Sequence, residues 1–148
     1  MKFSGSVSLQ GQLHILVKDE ENNIKQDLTV PNLVVDAGLT FIASRMAGTS
    51  SGVMSYMAVG SGSTAASSGQ TDLVSIIGSR VSLTSGTAST NTMTYIATFG
   101  AGVSTGAITE AGVFNASSSG TMLCRSVFST INKAAGDSMT ITWTITLS

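Results

Sequence analysis

The sequence predicts an all-β protein: a β-sandwich of about eight strands, with a jelly-roll or Greek-key layout, one short helix and an N-terminal β-hairpin arm. Three observations predict this class. The C-terminal block alternates apolar and threonine residues without a break. Several shorter blocks of similar character precede it, separated by Ser/Gly-rich turns. Only residues 36–47 repeat apolar residues at helical spacing.

The last predicted strand covers residues 138–147. Threonines occupy every second position, so the residues between them share the opposite face of the strand. Those residues are Met139, Ile141, Trp143, Ile145 and Leu147. A face of this kind packs against a core, and Trp143 is predicted to be a buried structural residue of that core.

The N-terminal region predicts a long hairpin. Residues 7–18 and 24–30 form its two strands, with a possible bulge at Gly11 and a polar turn at residues 19–23. Pro31 ends or kinks the second strand. This pattern divides the chain into an N-terminal β-hairpin arm, residues 1–31, and a β-sandwich domain, residues 32–148.

Residues 36–47 predict the helix. Asp36 is placed to cap its first turn and Gly48 to close its C-terminus. Its predicted apolar face consists of Leu39, Ile42, Ala43 and Met46. Further strands are expected at 54–60, 74–84, 92–99, 108–115 and 121–131, with loops between them that include 60–70 and 85–90.

The composition excludes several classes of function. Only 10% of the residues are charged, against about 25% in a typical soluble domain, and the net charge is −1. No basic patch for nucleic acid and no run long enough for a membrane span is present. We expect neither nucleic acid nor membrane as a partner, and synthesis in the cytoplasm. Cys124, the only cysteine, fits a buried position in a protein without disulfides.

Hydrophobic residues make up 42% of the chain, and its mean hydropathy is +0.33. Both values argue against disorder. The 24 serines and 19 threonines make the expected surface neutral and rich in hydroxyl groups. A small domain with so much apolar character is expected to cover part of it by assembling with other chains.

The search for chemistry predicts no enzyme: no catalytic, cofactor-binding or metal-binding residues are expected. His14 is the only histidine. The acidic residues 19–21 suit a solvated hairpin tip better than a calcium loop. The Gly-rich segment 60–70 lacks the lysine of a phosphate-binding loop. Glu110 is the one acid in an apolar context; it could donate a proton, but it is predicted to accept turn amides or to pair with Arg125 or Arg80.

Several short motifs resemble those of small virion proteins of tailed bacteriophages. They include the helix entry at residues 32–38, a Gly-x-Gly-x-Ser/Thr step at 60–64 and Thr71-Asp-Leu73. The closest match covers residues 107–133, where a Glu-Ala-Gly-Val-Phe-Asn segment at 110–115 precedes a strand whose "apolar-x-Arg" motif ends at Arg125. The Thr-rich last strand is also part of the resemblance. The resemblance covers roughly residues 30–147 and implies a phage structural protein.

Two virion stations are consistent with that resemblance. The first is a capsid cement or decoration protein at the capsid surface, bound to the major capsid protein as a homo-oligomer, with a trimer the expected form. The second is a tail-associated fibre, baseplate or adaptor component. A carbohydrate-binding or hydrolytic sandwich is a third hypothesis, but it needs clustered exposed aromatics. Here Phe99, Phe114, Phe128 and Trp143 occupy positions that predict a core.

Overall fold

The structure is a computed structural model that describes residues 5–49 and 52–148. One helix, α1, spans Asp36–Met46. The strands are β1 (Leu9–Lys18), β2 (Ile24–Pro31), β3 (Leu33–Val34), β4 (Tyr56–Gly60), β5 (Val81–Ser82), β6 (Ser85–Ser89), β7 (Thr92–Phe99), β8 (Gly106–Phe114), β9 (Met122–Lys133) and β10 (Ser138–Leu147).

The strands form two five-stranded sheets, which confirms the predicted all-β sandwich. Sheet A has the order β2-β1-β10-β7-β6, and sheet B has the order β3-β9-β8-β4-β5. All neighbouring strands are antiparallel. The chain passes between the sheets several times, because β1 and β2, β6 and β7, and β10 lie in sheet A while the other strands lie in sheet B.

The inner faces of both sheets contribute to one hydrophobic core. Trp143 is fully buried there, and its cross-strand neighbours in sheet A are Leu13 and Tyr95. Threonines on the outer face of β10 stay partly exposed. The alternation of the last strand therefore predicted the correct inner face. Of the aromatic residues expected in the core, Phe99, Phe128 and Trp143 are buried there. Phe114 is also buried, but in a second, smaller cluster with Val35, Ala58 and Met122.

The predicted hairpin of β1 and β2 is present, but it is not a separate arm. All ten residues of β1 pair with β10, and Leu13, Ile15 and Val17 are fully buried in the common core. The boundary drawn at residue 31 therefore divides one sheet. The physical reason is that every second residue in the C-terminal part of β1 is apolar and faces the core. Such a strand is stable inside a sheet, and β1 lies between β2 and β10. Residues 1–4 of the predicted arm lie outside the described residues.

Gly11 does not form the predicted bulge. It pairs in regular register with Ile145, and the irregularity of β1 lies at Val17 and Lys18, where it faces β2. The glycine serves a close approach instead. A Cβ atom at Gly11 would lie 1.8 Å from Oδ1 of Asn32. A side chain at position 11 would therefore clash with the Asn32 side chain in its present position, and glycine avoids this clash.

The helix is confirmed, but its cap and its buried face differ from the prediction. Val35 is the N-cap, no side chain caps the first turn, and Asp36 is the first helical residue. Gly48 adopts a φ of 69° after the last turn, as expected of a closing glycine. The buried residue of the helix is Gly38. It packs so closely on β9 that a Cβ atom there would lie 2.1 Å from the carbonyl oxygen of Leu123. Leu39, Ala43 and Met46 are exposed.

Two strand predictions also need correction. Residues 74–84 contain only the two-residue strand β5 and one isolated bridge at Ile76. Residues 85–89, expected to be part of a loop, form the edge strand β6. Its small polar residues carry no apolar alternation, so the pairing with β7 rather than burial of side chains defines this strand.

We predict that Trp143→Ala lowers the free energy of unfolding by about 3–5 kcal/mol, because it leaves a large cavity in the core. Trp143→Phe should cost clearly less, since it keeps most of the apolar volume and the indole nitrogen has no hydrogen-bond partner among the described residues. Urea denaturation followed by circular dichroism measures both. Equal loss for the two variants would contradict a role based on volume.

Candidate functional site

The strongest concentration of buried polar groups surrounds the carboxylate of Glu110 on β8. The residue is fully buried. Its Oε1 accepts hydrogen bonds from the backbone amides of Gly62 at 3.0 Å and Ser75 at 2.7 Å, and its Oε2 accepts the amide of Val74 at 3.0 Å. These amides belong to the 61–75 segment that connects β4 toward β5. One side chain therefore holds both ends of that segment.

Arg125 on β9 is the charged partner of Glu110. Its Nε and Nη2 donate to Oε2 of Glu110 at 2.9 Å and 2.7 Å, and both side chains are fully buried. Its Nη1 continues into the same segment, donating to the carbonyl of Thr64 and to Oε1 of Gln70, each at 2.9 Å. We call Glu110, Arg125 and the 61–75 segment that they bind the Glu110 cluster.

The pairing of β8 and β9 brings the two charges together. Gly112 lies opposite Arg125 and Glu110 lies opposite Val127, so the pair is diagonal across the two strands. Diagonal neighbours are within reach of long side chains. Of the alternatives that the sequence left for Glu110, the turn amides and Arg125 are its partners. Arg80 lies elsewhere.

Glycines make the close packing around the carboxylate possible. A Cβ atom at Gly60 would lie 2.3 Å from the carbonyl oxygen of Ser75, and one at Gly62 would lie 2.5 Å from Oε1 of Glu110. At Gly112 a Cβ would lie 3.1 Å from Cδ2 of Leu73. The Gly-x-Gly step, the Leu of Thr71-Asp-Leu73 and the Glu-Ala-Gly segment of β8 are therefore parts of one packed arrangement.

The electrostatics keep Glu110 ionised. Burial by itself raises the pKa of this carboxyl, but the amides of Ser75 and Val74, Arg125 and the amide of Gly62 lower it more. The resulting pKa lies below the ordinary value. A general acid needs a raised pKa and an accessible proton. This carboxylate has neither, so the arrangement favours a structural role over proton donation.

The Gly-rich segment also has a clear internal use. Backbone amides that converge on an anion are the mark of a phosphate-binding loop. Here the amides of Gly62, Val74 and Ser75 converge on the chain's own carboxylate. The segment thus binds an internal anion, and these three donors are already used.

Arg80 closes the neighbouring 115–121 turn. Its guanidinium lies 3.7 Å from the ring centroid of Phe114, close enough for a cation–π contact. Nη1 donates to the carbonyls of Ala116 and Ser119 at 2.9 Å and 2.7 Å. Its contact with the exposed Asp72 is longer, 3.4 Å. Arg80 therefore stabilises a turn, and it contacts neither Glu110 nor Arg125; it touches the 61–75 segment through the exposed Asp72.

The remaining candidates from the sequence are separated in space. His14 lies on β1 and bonds Asp27 through Nε2 at 2.6 Å, whereas the buried Cys124 lies on β9 in the other sheet. Burial raises the pKa of the Cys124 thiol well above its ordinary value. Asp19 accepts the amides of Glu21 and Asn23, each at 2.9 Å, and so organises its own turn. Among the described residues, no group of three side chains could hold a metal ion.

A second buried polar group at one end of the sandwich was not found from the sequence. Lys133 is almost fully buried and donates to the carbonyl of Gly100 at 2.8 Å, and burial lowers its pKa. Nearby, Asp137 pairs with Lys25 and accepts the amide of Ala134 at 2.8 Å. A lysine at an inward-facing position of a strand would have predicted this burial. That position can be recognised only once the register of β9 is known.

Comparisons with protein families, with curated proteins and with solved structures found no match in any of the three. In the part of the chain that the structure describes, no helix is both long and apolar enough to cross a membrane.

We predict that Glu110→Gln lowers the free energy of unfolding by about 3–5 kcal/mol, because it leaves Arg125 buried without a counter-charge. It also turns an amide group toward the three backbone donors. The matched control is Asp72→Asn, which removes the exposed partner of Arg80 and should cost no more than about 1 kcal/mol. Chemical denaturation of both variants measures the difference, and a small loss in Glu110→Gln would contradict the structural role.

Acid should destabilise the protein through the same carboxylate. Because the folded-state pKa of Glu110 is lowered, its contribution to stability is present above its ordinary pKa of 4.5 and is lost as the pH falls through the folded-state value. Denaturation curves between pH 7 and pH 3 should show this loss. The loss should be smaller in Glu110→Gln, which has no carboxyl to protonate; an unchanged pH dependence in that variant would assign the loss to other acids such as Asp137.

Proposed function

We propose that this chain is a non-enzymatic structural protein of a tailed-phage virion: a cement or decoration protein that binds the major capsid protein at the capsid surface and stabilises the assembled shell. Self-association belongs to the proposal, with a trimer as the expected form on the shell. The partner class comes from the resemblance of the motifs around Glu110 and Arg125.

The observation that carries the proposal is an apolar, charge-poor exterior. Nine large apolar side chains of the described residues are more than a third exposed: Val7, Ile24, Leu33, Leu39, Met46, Val53, Val74, Ile76 and Val103. Single exposed apolar residues are ordinary. So many on a chain with 10% charged residues favour a protein that lies against other proteins.

The use of the few charges supports a structural role. Glu110 and Arg125 bind each other and a loop, Lys133 binds a backbone carbonyl, and Asp137 pairs with Lys25. Each of these contacts holds one part of the chain to another. These buried charged groups therefore stabilise a small, rigid domain, as attachment to a shell requires.

A tail-associated component is the second candidate. A fibre, baseplate or adaptor protein could use the same compact sandwich and the same neutral surface. The number of copies distinguishes the two. Quantitative mass spectrometry of purified particles should find hundreds of copies per virion for a cement protein and six or twelve for a tail component. Absence from the particles would contradict both.

Attachment to the shell should depend little on salt. Exposed ion pairs contribute only about 0–1 kcal/mol each, and this surface offers few of them. Co-sedimentation of the purified protein with shells stripped of it, from low to high salt, should show nearly constant occupancy. Release at moderate salt would contradict an interface based on packed apolar area and hydrogen bonds.

The N-terminal hairpin was the expected contact with capsid or with neighbouring subunits. Deletion of residues 1–31 cannot test that contact cleanly, because it removes β1 and with it the buried Leu13, Ile15 and Val17. Substitutions at exposed positions of the hairpin, such as Ile24→Ser, leave the core intact. Loss of attachment in this folded variant would support contact through the hairpin.

A further inference from the structure

The strand β6 is an unusual sheet edge. Both edges of sheet B are two-residue strands, and the other edge of sheet A, β2, carries Lys25 and Asp27 and ends at Pro31. Charges, proline and short length are the features that prevent edge strands from pairing with other chains. The five residues of β6, Ser85–Ser89, are small and uncharged. One side of this strand pairs with β7, and the other has no strand beside it among the described residues.

Among the residues described around this edge, Arg45 on α1 is the charged one. The two longest stretches of the chain without a charged residue are 46–71 and 81–109, and both contribute to the surface around this edge. In a contact about a two-fold axis, residues near the axis meet their own copies. A charged edge would therefore place like charges opposite each other, whereas β6 meets itself without repulsion.

A cleft of about 420 Å³ lies between α1 and β6. Its lining is mainly apolar and includes Ile42, Met46, Val53, Met93 and Tyr95. Two of these are strongly exposed, Met46 at 86% and Val53 at 57%. A strand added to β6 would extend sheet A along the cleft and cover part of this apolar surface.

The register assigns the two faces of β6. Gly86 and Ala88 pair with Tyr95 and Met93 and share their side of the sheet, toward the cleft. Thr87 pairs with Thr94, which pairs with Thr144 on the outer face. Because cross-strand partners point the same way, Ser85, Thr87 and Ser89 point outward.

We propose that β6 pairs antiparallel with β6 of a second copy of this chain, forming a ten-stranded sheet across a two-fold axis, with Met46 and Val53 of both copies at the contact. The uncharged edge fits itself, and the small side chains let the two backbones approach. Such a contact closes at two subunits, so it forms a two-fold pair in solution. It does not depend on the target of attachment given above.

Two matched variants test the pairing. Thr87→Lys places like charges on both sides of the axis, whereas Thr29→Lys makes the same change at an exposed position on β2, the other edge of sheet A. Light scattering coupled to size exclusion should give an assembly of two or more 15.0 kDa chains for the native protein and for Thr29→Lys. Thr87→Lys should lose the two-fold partner while its circular dichroism and thermal unfolding remain native.

A cysteine scan of the outer face locates the axis. Ser85→Cys, Thr87→Cys and Ser89→Cys are made singly; the native Cys124 is buried. Under oxidising conditions, one of the three should form a disulfide-linked dimer if the axis lies at an outward residue, because in antiparallel pairing only the residue at the axis meets its own copy. If the axis lies at Gly86 or Ala88, the outward residues on either side of it face each other, so a mixture of Ser85→Cys with Thr87→Cys, or of Thr87→Cys with Ser89→Cys, should cross-link instead. A monomeric native protein, assembly unchanged in Thr87→Lys, or no cross-link at any position or in either mixture would overturn the proposal. None of these results bears on copy number in a virion, so the pairing and the proposed function can fail separately.

Discussion

The buried ion pair of Glu110 and Arg125 is the interaction on which the position of the 61–75 segment depends. Two opposite charges without solvent are stable only when their remaining hydrogen-bonding groups are also satisfied. Here three backbone amides and two oxygen acceptors of the 61–75 segment complete the set. A segment with little secondary structure of its own is thereby attached to the central strands of sheet B.

The pair also explains the composition of its surroundings. Backbone amides can reach a buried carboxylate only if no side chain stands between them, which accounts for Gly60 and Gly62. Leu73 packs where Gly112 leaves room beside β8. Motifs that are far apart in the sequence thus meet around one carboxylate, and a change at any of them would disturb the others.

The strands with regular alternation could be predicted from the sequence, because burial of one face dictates a period of two. This holds for β1 and β10. Arg125 was among the alternative partners predicted for Glu110, with the turn amides and Arg80, because a buried acid requires a partner. The strand β6 could not be predicted, since Ser85–Ser89 buries little and is defined by its pairing with β7. Gly11 was misread for a related reason: its need is set by Asn32, a residue brought there by β3.

The scarcity of charged residues is related to the many threonines on the strands, and it also affects how the surface could contact another protein. Threonine suits strands because its branched side chain fits a pleated surface, and its hydroxyl group remains hydrated on the outer faces of β7 and β10. Such faces need no charged residues to stay in contact with water. When a neutral face of this kind meets another protein, no ion has to lose its hydration, so the contact avoids the large cost of burying charge. The residues that favour the sheet are therefore also ones that would allow close contact with another protein.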